Sequence, residues 1–266
     1  MAAHSLREKV PVLLLVSGLL LTPSRNVLAY RPEAMPGWPK VVQSSSVFLE
    51  RCGPSLADVD GNGSLDILVG TSEGTLWVWD YQGNLLPGWP QSVPDPGMIQ
   101  GVPVPGDVNA DGQMDVVACV NDSFATDTGF IYVWNSQGQL LPGWPQALMG
   151  WMTEASLSDP NSDGTLEVLV AIQAGDAIQI EIRQFDGTAL PGWPQPMGSR
   201  WPCLSPSVGD IDNDGQVEIV AFSSDSLCAW EADGTRMNGW PVVPASGYVF
   251  YGWSSPALAD FDRDGD

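Results

Sequence analysis

The sequence predicts an all-β protein, a β-propeller assembled from four-stranded blades. Three observations predict it. An acidic loop recurs at intervals of about fifty residues, and short stretches rich in Val, Ile, Leu and Trp fill the intervals. No segment after residue 29 sustains a 3.6-residue apolar period, and the 23 prolines are too frequent for long helices. Repeats of roughly 40–50 residues, each made of short strands, mark a propeller. One small sheet cannot bury both of its faces, so the units must stack on one another.

The loops read Asp58-x-Asp60-x-Asn62-Gly63-x-x-Asp66 and Asp107-x-Asn109-x-Asp111-Gly112-x-x-Asp115. Next come Asp159-x-Asn161-x-Asp163-Gly164-x-x-Glu167 and Asp210-x-Asp212-x-Asp214-Gly215-x-x-Glu218. A fifth, Asp260-x-Asp262-x-Asp264-Gly265, stops at Asp266. Alternate residues of a tight loop turn inward together, so side-chain oxygens at positions 1, 3, 5 and 9 converge. Glycine at position 6 supplies a positive φ that a Cβ would resist. Position 7, occupied by Ser64, Gln113, Thr165 and Gln216, offers its main-chain carbonyl. Ca²⁺ accepts roughly six to eight oxygens, which this set can supply with water, whereas Mg²⁺ prefers an octahedron and keeps its own water. These positions in all five loops are the expected calcium ligands.

The rest of each unit follows in order. Pro54-Ser55-Leu56-Ala57 and Pro206-Ser207-Val208-Gly209 precede their loops as first strands. Ile67–Gly70 and Val116–Ala118 follow as second strands, and Gly74–Asp80 and Phe130–Asn135 as third. Pro87-Gly88-Trp89-Pro90, Pro142-Gly143-Trp144-Pro145, Pro191-Gly192-Trp193-Pro194 and Asn238-Gly239-Trp240-Pro241 belong to the last strands. Their tryptophans recur at one position beside prolines, as residues packed between blades would. Trp151, Trp201 and Trp253 lie near blade starts and are the better candidates for a ligand surface. This accounting gives four full blades and the start of a fifth. Pro36-Gly37-Trp38-Pro39 has no blade before it, so Met35 to Val42 is expected to be the strand that closes a ring. The chain therefore reads as a propeller over 30–266, cut short at its C-terminus, with six to eight blades expected in the whole.

Residues 1–29 read as a secretory signal peptide. Arg7 and Lys9 precede an apolar run from Val10 to Leu21, and Val27-Leu28-Ala29 offers a small-residue cleavage pattern. The run is too short for a comfortable membrane span. Export fits weak calcium sites, which stay filled where the ion is millimolar.

Composition excludes several functions. The formal net charge is −22, and no basic patch exists to meet phosphates, which argues against nucleic acid. Half of the 32 acidic residues sit in the loops, where metal would neutralise them. The only histidine is His4, within the leader. Ser-His-Asp and Cys-His catalysis, histidine acid–base chemistry and His-bearing zinc sites are therefore absent from the mature chain. Cys52, Cys119, Cys203 and Cys228 match no metal or redox spacing, and four cysteines allow three pairings. Cys119 and Cys228 sit in apolar stretches as plain buried thiols do.

Loops and strands together resemble the FG-GAP/VCBS repeat family, whose propellers include the integrin α-chain head. The resemblance runs from about Met35 to the end. It implies calcium at Asp58, Asp60, Asn62 and Asp66 and at their counterparts. Asn62, Asn109 and Asn161 replace carboxylates with amides, and Glu167 and Glu218 lengthen the ninth ligand. The run Trp79–Asn84 is faintly similar to repeats of quinoprotein-type propellers, whose cofactor ligands are not recognisable here.

The leading expectation is a secreted or cell-surface calcium-binding propeller, a non-catalytic module for adhesion to a protein or carbohydrate ligand. The alternative is the accessory propeller of a larger secreted enzyme acting on polysaccharide. Carboxylate catalysis by Glu154 and Glu181 ranks third, both being expected on the solvated surface.

Overall fold

Short runs of β-branched and aromatic residues between glycine turns form strands, and the strands group by repeat. The computed structural model describes residues 35–42, 53–94, 97–122, 127–199, 201–245 and 254–260. The expected leader, residues 1–29, and Trp253, Asp262 and Asp264 lie outside the described residues. The first unit holds β1 (Ser55–Ala57), β2 (Asp66–Gly70), β3 (Thr75–Trp79) and β4 (Gln91–Ser92). The second holds β5 (Met98–Gly106), β6 (Asp115–Asn121), β7 (Thr128–Trp134) and β8 (Gln146–Met149). The third holds β9 (Trp151–Ser158), β10 (Glu167–Ala174), β11 (Ala177–Arg183) and β12 (Gln195–Ser199). The fourth holds β13 (Ser207–Gly209), β14 (Glu218–Phe222) and β15 (Leu227–Trp230).

Each unit is one antiparallel sheet with its strands in chain order, three of them four-stranded and the last three-stranded. The acidic loop joins the first strand to the second in every unit, as the spacing predicts. In the fourth unit the outer strand shrinks to a bridge between Leu227 and Val242. Pro244 supplies no backbone donor there, and Pro94 ends the two-residue β4 in the same way. Residues 254–260 carry the array onward: Leu204 N–H donates to Ser254, and the Ser207 hydroxyl donates to the Pro256 carbonyl.

The core lies between sheets. Leu68, Leu76 and Val78 of the first unit meet Val116, Ala118, Tyr132 and Trp134 of the second. The opposite face of the second unit, with Val117, Ile131 and Val133, meets Val168, Val170 and Ile172. Leu169, Ile180 and Ile182 of the third then meet Ile219, Ala221 and Trp230. Central strands are thus covered on both faces. That is why β6 and β14 read as unbroken apolar runs and not as an alternation.

The Gly-Trp-Pro motifs correct one expectation. They are turns placed before the outer strands, each with a cis Trp–Pro bond, and not strands themselves. Every glycine in them has φ near +90°, between 86° and 91°. A Cβ on Gly143 would collide with the Asp186 carbonyl of the next sheet, and the same holds for Gly88 against Gln137. Where the next sheet is described, this close approach lets the indole N–H donate across the seam. Trp89 bonds Ser136 at 3.0 Å, Trp144 bonds Phe185 at 2.8 Å and Trp193 bonds Ala232 at 2.9 Å. Trp38 makes the same bond to Tyr81 at 2.9 Å, so residues 35–42 dock on the first unit as a turn, with no strand pairing among the described residues.

Trp144→Ala removes a buried indole and its bond to Phe185, and is expected to lower the unfolding free energy by about 3–5 kcal/mol. The exposed Leu140→Ala is expected to cost about 0.5 kcal/mol or less. Urea titration of both variants measures the difference, and equal midpoints would remove the indole from its place in the seam.

Candidate metal centre

The acidic loops fold by capping themselves. In all four described copies the position-5 N–H donates to the carboxylate at position 1 and to the side-chain oxygen at position 3. The distances run from 2.9 to 3.2 Å. The position-6 glycine N–H reaches the other oxygen of position 1 at 2.8–3.0 Å. Position 7 donates to the side chain at position 5 at 2.8–2.9 Å. Such Asx-type bonds bend the backbone around the side chains at positions 1, 3 and 5.

Two residues per loop take the left-handed conformation. Position 6 is always glycine, with φ from 84° to 92°. Position 4 is Gly61, Ala110, Ser162 and Asn213, with φ of 71°, 56°, 57° and 59°. Sequence reasoning missed position 4. Gly61 and Asn213 are residues that tolerate this region and could have signalled it, whereas Ala110 and Ser162 gave no sign.

Position 9 opens the second strand of each unit. Asp66, Asp115, Glu167 and Glu218 are 0% exposed. One oxygen of each is satisfied locally. Val59, Val108 and Ile211 at position 2 donate their N–H to Asp66, Asp115 and Glu218 at 2.7–3.0 Å. Pro160 has no N–H to give, and the Asn161 amide replaces it with a 3.2 Å bond to Glu167 Oε1. The second oxygen (Asp66 Oδ1, Asp115 Oδ1, Glu167 Oε2, Glu218 Oε1) is buried without a hydrogen-bond partner. Burial raises all four carboxyls, and the loop's own acids add to the rise. Asp115 reaches about 6 and Glu167 about 7. A buried anionic oxygen with no donor fits a hard cation, and the donor set, all oxygen, fits Ca²⁺.

Convergence is uneven. Carboxylate oxygens of Asp58, Asp60 and Asp66 lie within 4.8 Å of one another, and so do those of Asp210, Asp212 and Asp214. In loops 2 and 3 an asparagine stands at position 3: Asn109 bonds Asp111, and Asn161 bonds Asp163 and Glu167. Asp260, the one described acid of the fifth loop, is exposed.

The carboxylates ranked third for catalysis are not a pair. Glu181 is 2% exposed and meets Arg183 at 2.5 Å, contrary to the expectation of a solvated residue. These two take the places filled by stacked Trp77–Trp79 and Tyr132–Trp134 in earlier units. Glu154 is half-buried and its carboxyl is raised by burial. Glu154 sits at the β-bulge of β9 and stands against Gly101 of the second unit, whereas Glu181 is tied to Arg183. Cys119, Cys203 and Cys228 are buried, and burial raises the Cys119 thiol to about 12. Sequence reasoning also missed two clasps between sheets. Asn121 bonds both backbone groups of Met152, and Asp225 accepts from the Ser199 hydroxyl and N–H. Trp151 is half-buried and Trp201 is 58% exposed.

Residues 58–118 and 159–221 match the model of the FG-GAP-like repeat. The C-terminal domain of PilY1 from Pseudomonas aeruginosa is similar in fold, with a TM-score of 0.54 at 15% identity over 76% of this chain and 51% of that one. The V. cholerae biofilm matrix protein Bap1 matches at 18% identity over 82% of this chain and 43% of its own, with a TM-score of 0.39. BBS1N, solved in complex with ARL6DN, matches at 11% identity over 70% and 54%, with a TM-score of 0.48. The chain thus spans between 43% and 54% of these solved chains. No curated protein matches the sequence significantly.

The raised carboxyls fix the pH response of metal-free protein. Unfolded carboxyls titrate near 4, so between about 4 and 7 the folded chain holds more protons. Stability is therefore full below that window and is lost as pH rises through it. Thermal midpoints of chelator-treated, dialysed protein are expected to rise from pH 8 to pH 5, and Glu167→Gln to flatten the slope. Midpoints that instead rise with pH would contradict the burial of these groups.

Proposed function

We propose that this chain, which carries FG-GAP-like repeats in a β-propeller fold, is a calcium-stapled, non-catalytic binding module that works outside the cell. The observation that carries the reading is the set of four wholly buried position-9 carboxylates, each with one oxygen lacking a partner. Asp58, Asp60, Asn62 and Asp66 would hold the ion in the first loop, with the Ser64 carbonyl, and the equivalent residues would do so in the others. Bound calcium supplies charge that offsets repulsion among the loop acids. The chain's own part is to position those acids: the Asx bonds curl the loop, and the buried ninth residue anchors it to the central strand.

Extracellular placement is supported by the leader pattern of residues 1–29 and by the acidic oxygen sites, which suit millimolar calcium. Among the described residues no helix is long and apolar enough to cross a membrane. A binding role is supported by the end of each sheet remote from the loops, where Trp201 and Met149 are exposed at 58% and 69%. The ligand is proposed to be a protein or carbohydrate of an outside surface.

Calcium is expected to raise the thermal midpoint strongly. Each site filled at a hundredfold excess over its Kd adds about 2.7 kcal/mol by linkage. Scanning calorimetry in calcium and in EGTA measures this, and superimposable traces would remove the metal from the proposal. A glycan array and a cell-surface protein array, probed with the calcium-loaded chain and with Trp201→Ala, test the binding role. Undiminished capture by the variant would exclude that aromatic face.

A further inference from the structure

The four described loops share a backbone but differ in what their third residue does. In loops 1 and 4 position 3 is Asp60 and Asp212, and three carboxylates crowd within 4.8 Å. In loops 2 and 3 position 3 is an asparagine whose amide carries a donor into the carboxylate group. Asn109 Nδ2 donates to Asp111 Oδ2 at 3.2 Å. Asn161 Nδ2 donates to Asp163 Oδ2 at 3.0 Å and to Glu167 Oε1 at 3.2 Å. One neutral side chain thus links the fifth and ninth ligands of loop 3. It also makes good the donor that Pro160 lacks.

Resting on the calcium reading above, we infer that the asparagine amides of loops 2 and 3 stand in for the cation, so that these loops keep their fold without metal and bind it weakly, while loops 1 and 4 bind tightly and depend on it. The physical reason is competition. For calcium to enter loop 3, the Asn161 amide must give up its bonds to two carboxylates, and its remaining oxygen already accepts the Asp163 N–H at 3.0 Å. Loops 1 and 4 have no position-3 amide to displace, and their bare charge repels until an ion arrives. Asn62 differs from the other asparagines because it sits at position 5, where its Oδ1 accepts the Ser64 N–H at 2.8 Å. Gln216 also reaches an acid, Asp214 at 3.3 Å, but from position 7, and it leaves Asp210 and Asp212 without an amide between them.

The test is calorimetric titration of the demetallated full chain with calcium alone, together with thermal scans in EGTA and in saturating calcium. Two tight and two weaker sites among the four loops are expected, separated by at least about tenfold in Kd. Asn161→Asp is expected to move one site from the weak class to the tight class. It should lower the midpoint in EGTA and raise the midpoint in calcium, which also shows that the variant folds. Asn161→Ala, which adds no charge, is expected to lower the midpoint in EGTA and leave the tight class unchanged. One class of equal sites would overturn the inference while leaving the calcium reading intact. An Asn161→Ala midpoint in EGTA equal to that of the parent would do the same. No binding at all would overturn both.

Discussion

A carboxylate buried at the first residue of the second strand in each described unit is the constraint on which the rest of the structure depends. Asp66, Asp115, Glu167 and Glu218 belong to two systems at once. Their backbones are paired in the sheet, and their side chains reach into the acidic loop. A charge so placed is costly unless something positive or a proton meets it. The loop's curl, its inward amides and its glycine all gather around that point. Strand order and loop chemistry are therefore one problem, solved once per repeat.

The sheets themselves are too small to stand alone. The second and third each bury one apolar face against the sheet before and the other against the sheet after, so the core is a series of seams. Polar links also fasten the seams. Ser55 and Ser156 donate across the inner strands to Pro103 and Pro206. Val104 stands at that position in the second unit and has no hydroxyl to give. Asn121 grips the second seam and Asp225, held low at about 2 by its serine donors, grips the third.

The fold was largely legible because the repeat writes itself several times. Loop spacing, the glycine at position 6 and the apolar runs each carry a local physical reason, and each was found where the sequence placed it. What was not legible depends on contacts between units. The Gly-Trp-Pro turns look like strand residues until the neighbouring carbonyl is seen beside Gly143. Glu181 looks like a surface acid until the seam closes over it. The asparagines at position 3 read as weakened ligands, while their donor role follows from a proline beside one of them and from side-chain geometry.

The indole bridge has a consequence for how such an array can change. Each of the first three units carries a plug, the Trp of the turn before its outer strand, and each of the four a socket, the backbone carbonyl just after its third strand. Plug and socket are separated by one full repeat and face opposite ways, so the array has a direction. Excising or duplicating a whole module leaves every plug with a socket, whereas a break within a module strands one of each. Whole-module steps are therefore the ones that preserve these bonds.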